Sequence, residues 1–217
     1  MMLSKRWIAP LVVLAMWAFA LAVYPRLPDR VPTHWSFGGE VDGWDGKWPG
    51  AFYLPAFGVL VAVLPYLLPY VDPRRRNLAR FREEMHLVFN LVALFFAVME
   101  ALSLGYALGW AIDFTTTMLA TVGVMLVGLG NYLPRLRSNW FMGIRTPWTM
   151  DSERVWRETH RVGGRTFVAG GLVMVLAAFL LPGDARTWVA MSACAVAALV
   201  PVVYSYLSWR RDAAREA

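Results

Sequence analysis

Residues 85–110, MHLVFNLVALFFAVMEALSLGYALGW, decide the fold. The stretch holds no lysine or arginine and one acid, Glu100. A soluble surface helix alternates an apolar stripe with a polar face, whereas this run is apolar all round. As a helix it would reach ~39 Å, enough to cross a hydrocarbon layer of ~30 Å. Working outward, the same reading applies to 7–24, 51–71, 115–133, 164–181 and 187–209. The expected fold is all-α, a multi-pass membrane protein of about six transmembrane helices in a lipid bilayer. A chain that is 58% hydrophobic and 17% charged fits that class and lacks the charge to cover a soluble domain. Pro65 inside the second span removes a backbone hydrogen bond and predicts a kink there. The single cysteine, Cys194, sits in an apolar run, so no intrachain disulfide is available.

The net charge of +6 is distributed unevenly. Lys5, Arg6, the group Arg74, Arg75, Arg76, Arg80 and Arg82, the group Arg135, Arg137, Arg145, Arg154, Arg157, Arg161 and Arg165, and the tail Arg210, Arg211 and Arg215 fall on one side. Only Arg26, Arg30, Lys47 and Arg186 fall on the other. Basic residues are retained in the cytoplasm, so both termini are expected inside, in the cell membrane. That distribution accounts for the basic charge without direct nucleic-acid binding. A rival reading takes Lys5, Arg6 and the run to Ala20-Leu21-Ala22 as a cleavable signal peptide, but the run is longer than such a region needs.

The expected units are 1–71, two spans around an ordered outer loop at 25–50, and 72–217, four spans with a cytoplasmic loop at 134–164. Prolines and glycine pairs in the outer loop favour extended backbone and tight turns, and Trp35, Phe37, Trp44 and Trp48 suit a membrane interface. The expected result is a compact cap. His34, Glu40, Asp42, Asp45 and Lys47 are its candidate ligand-binding residues. Imidazole and carboxylates could hold a metal, but the spacing matches no known site, and no metal or cofactor is expected.

The inner loop is richer. Asn131, Asn139, Arg145, Trp148, Glu153, Trp156 and His160 are its candidate partner-docking or pocket residues. From Thr149 to Gly163-Gly164 it reads as a separate short helix, capped by Thr149, acidic in its first turn and ended by the glycines. Such a helix would lie along the inner membrane surface, its arginines meeting anionic headgroups at ~1 kcal/mol each. Gly105 and Gly109 form a GxxxG pair, and Gly123, Gly128 and Gly130 line the fourth span, where small residues let helices approach.

Glu100 is an intramembrane polar residue and therefore a functional candidate. With Asn131 it frames one alternative, a small transporter or channel. A second alternative is a metal-dependent membrane enzyme built on His34 and the outer acids. No Gly-x-Ser-x-Gly, phosphate loop or His-Glu-x-x-His is present, so no catalytic residue is assigned and no enzyme is expected.

The stretch 130–164, with Asn139, Gly143-Ile-Arg-Thr-Pro-Trp-Thr149, Glu153, Val155-Trp156 and Thr159-His160, resembles the SdpI family of bacterial membrane proteins. The outer loop, Leu27-Pro-x-x-Val-Pro-Thr-His34 and then 39–47, is similar to the short domain of unknown function that often precedes it. The resemblance implies an immunity and signal-transduction protein that confers resistance to a secreted antimicrobial peptide toxin. It also implies a cytoplasmic transcriptional repressor as partner, held at the membrane when toxin is present. The outer loop is our expected sensing element, and the inner loop the expected docking surface.

Overall fold

In hydrocarbon every backbone N–H and C=O must be bonded within the protein, so each apolar run folds as a helix. The computed structural model describes residues 4–36 and 38–216, with side chains as far as 211. Phe37 and the Arg215 side chain lie outside the described residues. In chain order the elements are α1 (Ile8–Val23), β1 (Arg30–Trp35), β2 (Val41–Gly46), α2 (Lys47–Val71), α3 (Arg75–Arg80), α4 (Arg82–Ala107), α5 (Phe114–Tyr132), α6 (Pro147–Asp151), α7 (Glu153–Leu180) and α8 (Gly183–Glu216). Among the described residues six helices, α1, α2, α4, α5, α7 and α8, are long and apolar enough to cross a membrane. Pro55, Pro65 and Pro69 all sit inside α2, which remains one helix.

The helices pack in two groups. α1 and α2 lie on α4, while α7 lies between α5 and α8, and α4 meets α5 across the join. Large apolar side chains such as Leu14, Phe57, Val124, Phe179, Leu199 and Val203 are exposed. A continuous apolar band of that kind is a lipid-facing surface. Aromatic rings mark both rims, with Trp44, Trp48, Trp110 and Trp188 at one end and Trp7, Tyr70 and Trp140 at the other.

β1 and β2 form an antiparallel hairpin with irregular register around His34. It caps the end where α1 stops and α2 begins, as the compact outer loop requires. Val31 is fully buried, facing Gly50 of α2, and Ser103 of α4 donates to the Pro32 carbonyl at 2.7 Å. Trp35 turns inward and stacks on Phe114 at 4.0 Å between ring centres, so it is packing and not an interface anchor. At the opposite end Asn90 of α4 finishes the start of α1. Its Oδ1 accepts from the Ala9 N–H at 2.9 Å, and its Nδ2 donates to the Lys5 carbonyl at 2.9 Å. Lys5 also pairs with Glu83 at 2.8 Å. The first and last long helices therefore both meet this end, where Ser208 of α8 donates to Glu158 at 2.7 Å.

Two expectations are corrected. The inner loop contains no separate surface helix ending at Gly163-Gly164. Thr146 and Thr149 cap the short α6 reciprocally, Ser152 caps α7, and α7 runs through both glycines to Leu180. These glycines do not stop the helix because they are its contact surface. A Cβ on Gly164 would stand 2.8 Å from the Gly130 carbonyl of α5, and one on Gly130 would stand 2.7 Å from the Gly164 carbonyl. Gly123 and Gly171 repeat the contact two turns along. Secondly, Gly105 and Gly109 are not a helix-packing pair. Gly109 lies beyond the end of α4 with φ +79°, a left-handed cap, and Gly105 faces Trp110.

The seam predicts a size limit. Gly171→Leu would push a side chain into the Gly123 carbonyl, a backbone atom that cannot swing aside, and overpacking of this kind costs about 1–3 kcal/mol. Ala169→Leu, two residues away and exposed, adds bulk without a clash. Thermal unfolding in detergent should show a clear loss of midpoint for Gly171→Leu and almost none for Ala169→Leu.

Candidate functional site

Two loops on the same end of the bundle, 72–81 and 133–152, lock together into one platform. Asp72 is buried at the end of α2. Its Oδ1 accepts from the Arg74 N–H at 2.7 Å and its Oδ2 from the Trp140 N–H at 3.0 Å. Arg74 donates to the Ser138 hydroxyl and to the Met150 carbonyl, the latter at 2.9 Å. Asn77 donates to the Ser138 carbonyl at 2.8 Å. A buried carboxylate is tolerable here because a backbone N–H group bonds each of its oxygens.

Asn139 is fully buried and organises the turn around itself. Its Oδ1 accepts from the N–H groups of Phe141 (2.9 Å) and Met142 (2.7 Å). Its Nδ2 donates to the carbonyls of Arg137 (2.8 Å) and Met142 (3.0 Å). One side chain thus replaces the bonds a loop without secondary structure would lack.

α7 supplies the floor. Trp156 is fully buried and its Nε1–H donates to the Leu136 carbonyl at 2.8 Å. His160, one turn on, stacks on Trp156 with ring centres 4.1 Å apart. Its Nε2 lies 3.0 Å from the Ile144 N–H, which can only donate, and its Nδ1 lies 2.8 Å from the Trp156 carbonyl, which can only accept. The imidazole is therefore the neutral tautomer with its proton on Nδ1. Gly143 passes over this ring with φ +104°, and a Cβ there would strike His160 Nε2. Thr149 donates to the Ile144 carbonyl at 2.8 Å, and the Thr146 and Ser205 hydroxyls meet at 3.0 Å, tying α6 to α8.

Asn139, Trp156 and His160 therefore come together, but as internal supports. Arg145 is exposed and donates to the Trp140 carbonyl, so it lies on the outer face beside the exposed Trp140 and Phe141. Trp148 packs against Tyr206 with ring centres 5.0 Å apart. Glu153 is exposed in the first turn of α7. Asn131 stands apart, exposed on α5 and donating to its own helix's Val127 carbonyl at 2.8 Å.

At the hairpin end His34 Nδ1 meets Asp42 Oδ1 at 2.5 Å, both side chains well exposed. Glu40 and Asp45 are exposed, and Lys47 lies over the Tyr24 ring at 5.0 Å. Among the described residues no three His, Cys, Asp or Glu side chains gather where they could hold a metal. Nearby, the Thr116 hydroxyl, with the Arg186 guanidinium beside it, holds the Asp113 carboxyl below the usual carboxylate range. Glu100 is buried within α4, and its Oε1 has no hydrogen-bond partner among the described residues. The groove that Asn131 lines does not include Glu100.

Asp72, Arg74, Asn77 and Ser138 were not legible as site residues beforehand. The available signal was one acid among arginines, placed at the end of an apolar span and before Pro73.

Residues 135–205 match the SdpI/YfhL protein family, and residues 11–59 match DUF1648, a domain of unknown function. Residues 135–205 thus carry the SdpI-family pattern. Together the two matches cover more than half of the chain. The chain is also similar to the immunity protein SdpI of Bacillus subtilis (strain 168), with 23% identity over 180 residues, covering 82% of this chain and 83% of that one. No solved structure matches it. The SdpI-family stretch begins as the platform loop leaves α5 and ends at Ser205, the residue that bonds Thr146.

The contact of Gly143 with His160 is testable by a double-mutant cycle. Gly143→Ala combines backbone strain of about 1–3 kcal/mol with the clash against the ring. In a His160→Ala background the clash disappears and the strain stays, so the cost of Gly143→Ala should fall without vanishing. Thermal unfolding of the four proteins reads the coupling, and strict additivity would mean that the two do not touch.

Proposed function

We propose that this chain is a non-enzymatic immunity and signalling protein that confers resistance to a secreted antimicrobial peptide toxin. The observation that carries this reading is the similarity to an immunity protein along most of both chains. The basic distribution supports an arrangement with both termini in the cytoplasm, the hairpin outside and the platform inside. In that arrangement the hairpin residues His34, Glu40, Asp42, Asp45 and Lys47 meet the toxin. The platform meets a cytoplasmic partner of the repressor type.

The platform's form supports docking over catalysis. Its polar side chains are consumed in holding the loop, and what it presents is Trp140, Phe141 and Arg145. Exposed aromatic and arginine side chains on a rigid base are the usual anchors of a protein interface. A toxin can change the platform's affinity only by binding one arrangement of the bundle better than another. The unpartnered Glu100 favours a second reading, a small transporter or channel.

The test is survival of sensitive cells challenged with a secreted toxin peptide of the SdpI type. Wild type should protect, while His34→Ala or Arg145→Ala should lose protection at unchanged membrane levels. Glu100→Gln should keep it, and loss there with the loop variants intact would favour transport. Sidedness is read separately. With Cys194 replaced by serine, a cysteine at Asp45 should react with a membrane-impermeant maleimide in whole cells, and one at Arg157 should react only after lysis.

A further inference from the structure

We infer that the groove between α5 and α7 is a binding site for one anionic phospholipid, its phosphate held by Arg161 and Arg165. The groove has a volume of about 450 Å³, and its walls include Asn131, Pro134, Arg161, Arg165, Val168 and Leu172. Its floor is the close approach of Gly130 and Gly164, which removes side chains that would otherwise fill the space.

Three observations converge on this ligand. Arg161 and Arg165 are exposed one turn apart on the same face of α7, and neither has an ion pair or hydrogen bond among the described residues. Like charges at that spacing repel, whereas two turns nearer the start of the same helix Arg154 meets Glu158 at 2.9 Å. An anion shared by the two guanidiniums reverses that repulsion, and phosphate suits their donor geometry.

Depth supplies the second. From Thr166 to Leu180, α7 rises only ~22 Å, less than the ~30 Å hydrocarbon core. Arg165 therefore stands at or inside the edge of the apolar layer, where an unpaired charge is disfavoured and a headgroup phosphate is within reach. The third is polarity along the groove. Beyond the arginines the same face continues as Val168, Ala169 and Leu172, with Ala169 and Leu172 exposed. A charged end followed by an apolar channel along the helix axis is the shape of a headgroup and its acyl chain, not of a free anion. Basic pockets between transmembrane helices hold acidic lipid headgroups by this chemistry.

The experiment uses the full-length protein purified in mild detergent, with the thermal midpoint measured against added phosphatidylglycerol, phosphatidylcholine or inorganic phosphate. A ligand that binds only the folded state raises the midpoint. Phosphatidylglycerol should raise it by several degrees, and the other two should not. The shift should fall by more than half in the double variant Arg161→Gln, Arg165→Gln. It should persist in Arg75→Gln, Arg76→Gln, which removes two exposed arginines at the same end of the bundle. Ala169→Trp, which fills the apolar part and leaves both arginines, should also weaken it. An equal shift in wild type and the Arg161/Arg165 variant would overturn the proposal, as would equal loss in the Arg75/Arg76 variant. A shift with inorganic phosphate alone would overturn the lipid assignment. None of these outcomes depends on toxin protection, so this site and the immunity reading fail separately.

Discussion

The backbone of α5 lies directly on the backbone of α7 at two points, Gly130 against Gly164 and Gly123 against Gly171. Within each helix the two glycines are seven residues apart, so they share a face two turns apart. In lipid there is no water to drive helices together, and close packing of small residues takes over that role. This seam also sets the rotation of α7. Counting back one turn from Gly164 gives His160 and two turns gives Trp156, which places both rings under the loop that leaves α5. The bonds from Trp156 to Leu136 and from Ile144 to His160 follow from that placement. A side chain at Gly164 would not only separate two helices but also withdraw the floor of the platform.

On that floor three polar residues are spent internally. Asn139 bonds four backbone groups of its own turn, and His160 and Asp72 each bond two. Residue types that suggest catalysis in isolation, a histidine beside an asparagine and a carboxylate near arginines, serve here as struts. Buried polar networks that are fully satisfied rigidify a unique arrangement. The surface they fix is aromatic and cationic, with Trp140, Phe141 and Arg145 exposed.

The six spans were legible because a bilayer requires long apolar runs, and composition records them directly. The pairing of β1 with β2 as a hairpin was not legible, because the register is irregular and the prolines mask the alternation. The boundary between loop and fifth span was misjudged for a definite reason. Gly163-Gly164 has the same signature whether it ends a helix or lets another helix touch it, and only the partner at Gly130 distinguishes the two. Gly109 errs in the other direction, since its spacing from Gly105 matches a packing motif while its positive φ closes the helix. Asn139 and His160 stood out as unusual, but their being supports and not contacts depends on burial. Asp72 went unremarked because its partners lie 68 residues away at Trp140 as well as beside it at Arg74.

The hairpin and the platform lie at opposite ends, and α4 reaches from one to the other. Its Ser103 bonds the hairpin, and its first turns pack beneath the platform through Phe81 and Met85. The seam holds α5 and α7 at backbone contact, so these two cannot slide apart without losing it. Across the join, by contrast, α5 meets α4 through Gly128 and the flexible side chain of Leu91. The hairpin is packed on both groups, on α2 and α4 through Val31 and Pro32 and on α5 through the stack of Trp35 on Phe114. The platform straddles that boundary. Asp72, Arg74 and Asn77 belong to the first group by sequence, while Trp140, Ser138 and Met150 belong to the second. These bonds fix the position of Trp140 and, through it, those of its neighbours Phe141 and Arg145. The two packed groups are thus joined at both ends, by the hairpin at one and by the platform at the other.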